Sequence, residues 1–150
     1  RGITNNPIAA GLDNYLYTHE SGLDDGSTTP ASAITSFVES SQLDIGEGDK
    51  FVFIRRLVPD VTFDGSTAVS PSAEFTVKTR NFPGGAYLES NASTVTQSAA
   101  ATTTTVEQFT DQVHIRLRGR AFALKVGSTG AEVQWRLGSP RVDIREDGRR

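Results

Sequence analysis

The sequence has no cysteine and no methionine, one tryptophan and two histidines in 150 residues. Without cysteine, disulfides and thiolate-ligated metals are excluded. No apolar run approaches the roughly 18 residues that a membrane-spanning helix requires. The opening stretch, RGITNNPIAAGLDNY, has no basic segment followed by an apolar one. A start at Arg1 with no methionine anywhere is the pattern expected of a segment of a longer polypeptide, with the remainder lying N-terminal. Helical periodicity is equally scarce. No window sustains apolar residues at i, i+3, i+4 and i+7.

What is present is period-two alternation broken by turn residues. Tyr15–Glu20 is short and aromatic-rich and leads into the loop SGLDDGSTTP. A β-favouring run follows over Ala33–Ser41, then Leu43 and Ile45 before the glycine-broken GEGDK. Phe51–Val58 (FVFIRRLV) is the strongest strand of the front half, and Pro59 ends it. In Ala73–Arg80, Phe75 and Val77 face one way and Glu74, Thr76 and Lys78 the other. The last forty residues alternate most regularly. Val113, Ile115 and Leu117 are interleaved with His114, Arg116 and Arg118. Phe122, Leu124 and Val126 follow, then Val133, Trp135 and Leu137, then Val142 and Ile144. This pattern predicts an all-β chain, residues 1–150 as a single domain, ending in an antiparallel meander of four strands. Such a meander is half of a sandwich or one propeller blade. Residues 90–105 are a Ser/Thr/Ala-rich tract with Val95 as its one larger apolar side chain. It is expected to be a loop or an extended arm ordered against a neighbour, a long hairpin being the alternative.

Charge is distributed unevenly. Residues 1–110 carry six Lys/Arg against thirteen Asp/Glu, net −7, and residues 111–150 carry nine against five, net +4, within an overall −3. That asymmetry suits head-to-tail packing of an acidic side on a basic one. A whole-chain charge of −3 argues against a non-specific nucleic-acid or membrane binder.

No constellation for catalysis emerges. His114 sits among arginines, whose charge disfavours its protonation, and His19 lies beside Glu20 near a turn. Asp24-Asp25 and the Asp44–Asp49 stretch are in glycine-containing loops. They lack EF-hand spacing and are residue types that turns favour, so no metal or cofactor is assigned. There is no phosphate loop and no nucleophile elbow, and the chain reads as a non-enzyme. The most specific feature is an arginine stripe. Arg116, Arg118 and Arg120 alternate, and Arg136, Arg141 and Arg145 come from strands expected nearby. The readings are a phosphate-contacting surface, an interface that grips a neighbour's carboxylates, or internal salt bridges with Glu132, Asp143, Glu146 and Asp147. Trp135 falls on the apolar side of its strand and is expected in the core. A sugar-binding module would instead need an exposed aromatic shelf of Trp135, Tyr15, Tyr17 and Tyr87.

The runs ITSFVESSQLDIGEGDKFVFIRRLVPD, VKTRNFPGGAY, HIRLRGRAFALKV and VQWRLGSPRVDIREDGRR resemble the C-terminal region of tail nozzle or tail-hub proteins of short-tailed phages, of the packaged-DNA stabilisation type. The resemblance spans residues 14–150, and the terminal RGR, WRLG and DGRR elements are its most specific part. It implies a virion structural protein in the phage tail, a homo-oligomer forming a sixfold ring around the DNA exit channel. Its expected partners are adaptor or portal proteins and the DNA backbone, with no membrane. The arginines would then be interface or channel-wall residues. The chain is shorter than a complete nozzle protein, and the resemblance brings no catalytic residues. A receptor- or carbohydrate-binding module at a tail tip is the alternative.

Overall fold

The computed structural model describes residues 6–44, 49–81 and 99–148. The chain is all-β, with no helix among these residues and every strand pairing antiparallel. Two short strands, β1 (Ile8–Ala10) and β2 (Leu16–Thr18), form a hairpin of their own. Two larger sheets follow. The first has the order β3 (Ser36–Glu39), β10 (Ala121–Ser128), β7 (Ser72–Arg80), β8 (Ala99–Glu107), and β4 (Leu43–Asp44) also pairs with β10. The second has the order β12 (Arg141–Glu146), β5 (Val52–Val58), β9 (Val113–Gly119). Beyond Pro59, β6 (Val61–Thr62) and β11 (Arg136–Leu137) make a small separate ribbon.

The two larger sheets pack as a sandwich around one core. Ile54 and Leu57 of β5 and Ile115 and Leu117 of β9 meet Phe75 and Val77 of β7, Val106 of β8, and Phe122 and Val126 of β10. Burial of these side chains, each worth roughly 1.5–3 kcal/mol, is the main favourable term in holding the sheets together. Trp135 packs against this cluster, as its place in the alternation predicts, and its Nε1 donates to Ser36 Oγ at 2.9 Å.

The four strands read in the last forty residues are present, but successive ones do not pair with one another. β9 belongs to the three-stranded sheet and β10 to the other. The chain crosses between sheets at Gly119 and Arg120. A Cβ at Gly119 would lie 2.7 Å from Thr79 Cβ and 3.2 Å from Arg80 O. Only glycine permits that approach, and the Arg120 N–H then donates to Arg80 O at 3.0 Å. The meander is thus replaced by a sandwich corner. Strand alternation reports which face is apolar; it carries no information about which strand lies alongside.

FVFIRRLV contains a parity problem that the structure resolves. Ile54 and Leu57 are both fully buried, yet an odd spacing of three would place them on opposite faces of a regular strand. The register against β12 slips between Asp143 and Ile144, and against β9 between Ile54 and Arg56. Arg55 is the extra residue opposite β12, whereas opposite β9 the extra residue lies in β9; Arg55 and Arg56 both reach solvent while the core side chains stay inward.

For the described part of the Ser/Thr/Ala-rich tract the strand alternative holds: residues 99–105 belong to β8, paired along its length with β7 from Ser72↔Glu107 to Arg80↔Ala99. Residues 90–98 lie outside the described residues. AAATTTT has no apolar alternation of its own, and β7 supplies the partner that orders it. Thr76 Oγ1 and Thr103 Oγ1 hydrogen-bond across the pair at 2.8 Å. The small Ala101 and Ala123, opposite Lys78 on either side, leave room for its side chain on the outward face. There Lys78 is 4% exposed and its Nζ meets Glu39 Oε1 at 3.0 Å.

The Gly119→Ala variant is expected to lose about 1–3 kcal/mol of stability, as overpacking of a tight site does. Urea denaturation followed by Trp135 fluorescence measures it. An unchanged midpoint would show that the corner can relax.

Candidate functional site

Strand β9 presents His114, Arg116 and Arg118 on the outer face of the three-stranded sheet because Val113, Ile115 and Leu117 claim the inner one. Register brings further cations alongside. Arg145 of β12, Phe53 of β5 and Arg118 of β9 form one row, and Asp143, Arg56 and His114 another. Arg141, opposite Val58, continues the edge. Arg55 and Arg56, adjacent in FVFIRRLV and on opposite faces in a regular strand, are both carried to solvent by the bulge. An exposed basic pair next to an odd apolar spacing was the signal for it.

The cations differ in how they are held. Arg118 Nε donates to the Asp147 carboxylate, its NH2 to Asp147 O at 3.2 Å, and its guanidinium lies 4.1 Å from the centroid of the Phe51 ring. Arg120 approaches the same ring at 4.8 Å. Cation–π contact orients both groups, and ion pairing adds to it at Arg118. Arg56 contacts Asp143 at 3.7 Å and Gln112 Oε1 at 3.2 Å. Lys50 pairs with Glu146 at 2.9 Å, and that hydrogen bond, followed by the attraction of its charge, raises the Lys50 ammonium above its usual range. Arg55, Arg116, Arg141 and Arg145 are exposed and form no ion pair with any described residue. The internal salt-bridge reading therefore accounts for Arg118 and leaves Arg116, Arg141 and Arg145 available. Arg136 stands apart, exposed on β11 opposite Thr62. A depression of about 580 Å³ opens between Phe53, Arg55, His114 and Arg116. Exposed guanidiniums from three neighbouring strands, set around an aromatic ring, suit carboxylate or phosphate oxygens presented by an apolar surface.

The second unusual surface is the N-terminal arm, residues 6–35. Between Arg1 and Lys50 the sequence has no lysine or arginine, while Asp13, Glu20, Asp24 and Asp25 fall within the arm. Ile8, Leu12, Tyr15, Leu16 and Ile34 are all exposed, Leu12 completely. A groove of about 780 Å³ runs past Leu16, Tyr17, His19, Glu20, Asp24 and Ile34. The arm is tied to the sandwich where the Asp24 carboxylate accepts the Glu132 N–H at 2.8 and 2.9 Å. Asp25 accepts the Ser27 N–H at 2.9 Å. These carboxylates thus serve as turn and anchor groups, and no cluster of three metal-ligating side chains occurs among the described residues. Residues 45–48 and Tyr87 lie outside those residues. Of the remaining aromatic-shelf candidates, Trp135 is half-buried against the core, Tyr17 donates its hydroxyl to Asp13, and Tyr15 is exposed.

The hairpin is clamped by that Tyr17–Asp13 bond. The Tyr17 hydroxyl holds the Asp13 carboxyl below the usual aspartate range against the opposing effect of burial, and the Tyr15 N–H at 3.3 Å adds a smaller lowering. The same bond raises the Tyr17 hydroxyl above its usual value, with burial and the Asp13 charge adding to it.

No protein-family model matches the chain, and no curated protein matches it.

Because Asp13 titrates lower in the folded state, the clamp is fully formed above the ordinary aspartate value of 3.8 and is lost as pH falls through the depressed folded value. At the alkaline end it persists below the ordinary tyrosine value of 10.0 and is lost as pH rises through the elevated one. In an NMR titration of the Asp13 carboxyl carbon, Tyr17→Phe is expected to move the midpoint up towards the ordinary value. An unmoved midpoint would rule the clamp out.

Proposed function

We propose that this chain is a structural subunit of an assembled particle, a tail nozzle or hub component that forms a homo-oligomeric ring in a phage virion. The observation that carries the reading is the arm. Burying a large apolar side chain is worth roughly 1.5–3 kcal/mol, and the arm leaves Ile8, Leu12, Tyr15, Leu16 and Ile34 in water. Several unburied large apolar groups on one short segment are what an assembly surface looks like in the isolated subunit. The exposed arginine face adds a second contact surface of opposite charge, and the resemblance of the sequence to nozzle proteins supplies the kind of particle. The work of such a subunit is mechanical. The sandwich is a stiff wall element, and its exposed edges and arm join it to neighbours and to adaptor or portal proteins.

Native mass spectrometry and negative-stain microscopy of the purified chain at micromolar concentration test this. Closed rings of a single oligomer number are the expected result. A chain that stays monomeric at all concentrations would sink the reading.

A further inference from the structure

We infer that the acidic, apolar arm of one copy docks on the arginine face of the next, so that β12, β5 and β9 receive residues 6–35 of a neighbour. This rests on the proposed homo-oligomeric assembly and names the two surfaces that make it. The argument is complementarity of both charge and polarity. The arm offers Asp13, Glu20, Asp24 and Asp25 with no lysine or arginine, alongside the exposed Leu12, Tyr15 and Leu16. The face offers Arg55, Arg116, Arg141 and Arg145, with no ion pair to a described residue. Phe53 stands among them, with the depression of about 580 Å³ beside it.

An aliphatic side chain entering that depression would carry its flanking carboxylates to the guanidiniums around the rim. The arm carboxylates keep acceptor capacity for this. Asp24 and Asp25 use their oxygens on backbone N–H groups and Asp13 on the Tyr17 hydroxyl and the Tyr15 N–H, and an ionised carboxylate has about four acceptor positions. Arm and face are different surfaces of the same molecule, so their contact is heterologous. Heterologous contacts propagate head to tail and close into a ring when the rotation permits.

Charge swapping in the full chain tests the pairing by sedimentation velocity. The arm variant carries Glu20→Arg and Asp25→Arg, the face variant Arg55→Glu and Arg116→Glu. A third chain carries all of these substitutions, and a fourth carries Leu12→Ser and Leu16→Ser. Every site is on the surface, and Trp135 fluorescence verifies folding. The arm, face and serine variants are each expected to weaken assembly about tenfold or more, since like charges set face to face or lost apolar contact oppose docking. The fully swapped chain should recover it. If wild type assembles and the separate swaps leave it unchanged, or the full swap does not recover it, the pairing is wrong and the assembly reading stands. If wild type is monomeric, both fail. If the face variant alone loses binding to a fluorescent DNA duplex while assembly persists, the face serves a phosphate backbone and the pairing is overturned.

Discussion

The close approach of β9 to β7 at Gly119 governs the rest of the arrangement. There the chain passes from one sheet to the other with only Arg120 between β9 and β10, and the missing Cβ lets Thr79 and Arg80 come within contact distance. Because β9 stays in the three-stranded sheet and β10 joins β7, the two sheets are stapled at one corner with their apolar faces turned towards each other. The outer faces are thereby assigned as well. The arginines of β9 look to solvent because Val113, Ile115 and Leu117 are committed to the core against Phe75 and Val77.

The two outer faces then develop different chemistry. On the larger sheet the residues opposite Lys78 are alanines, and the lysine lies low and pairs with Glu39. Charge there is compensated inside the fold. Only the lysine of this pair is buried, Glu39 lying exposed on β3, and the contact penalises pairings of β3 that would part the two charges. On the smaller sheet, Arg118, Arg56 and Lys50 find carboxylates, whereas Arg55, Arg116, Arg141 and Arg145 find none among the described residues. An array of like charges raises the energy of the isolated subunit and lowers that of any state in which anions arrive.

The arm stands in the same relation to the fold. It is fastened at Asp24–Glu132, a contact that positions it without covering Leu12, Tyr15 or Leu16. Both surfaces are costs to the isolated subunit that contact between copies would relieve, and they have opposite sign.

Much of this was legible in the residues, and the reason is periodicity. Strand identity follows from alternation over five to nine residues, so the all-β class, the positions of β5, β7, β9 and β10, the inward Trp135 and the outward Arg116 and Arg118 could all be read locally. The shift in acidic and basic content along the chain was equally plain. Pairing is non-local, and there the sequence was silent. It could not tell that β9 and β10 part company at Gly119, or that 99–105 would find a partner in β7. Nor did it show that Arg145 comes level with Arg118 across Phe53 while Arg136 is left on a separate ribbon. The bulge lies between the two cases. The odd spacing of Ile54 and Leu57 is written in the sequence, but only a core that demands both side chains makes the backbone give way and delivers Arg55 and Arg56 to solvent.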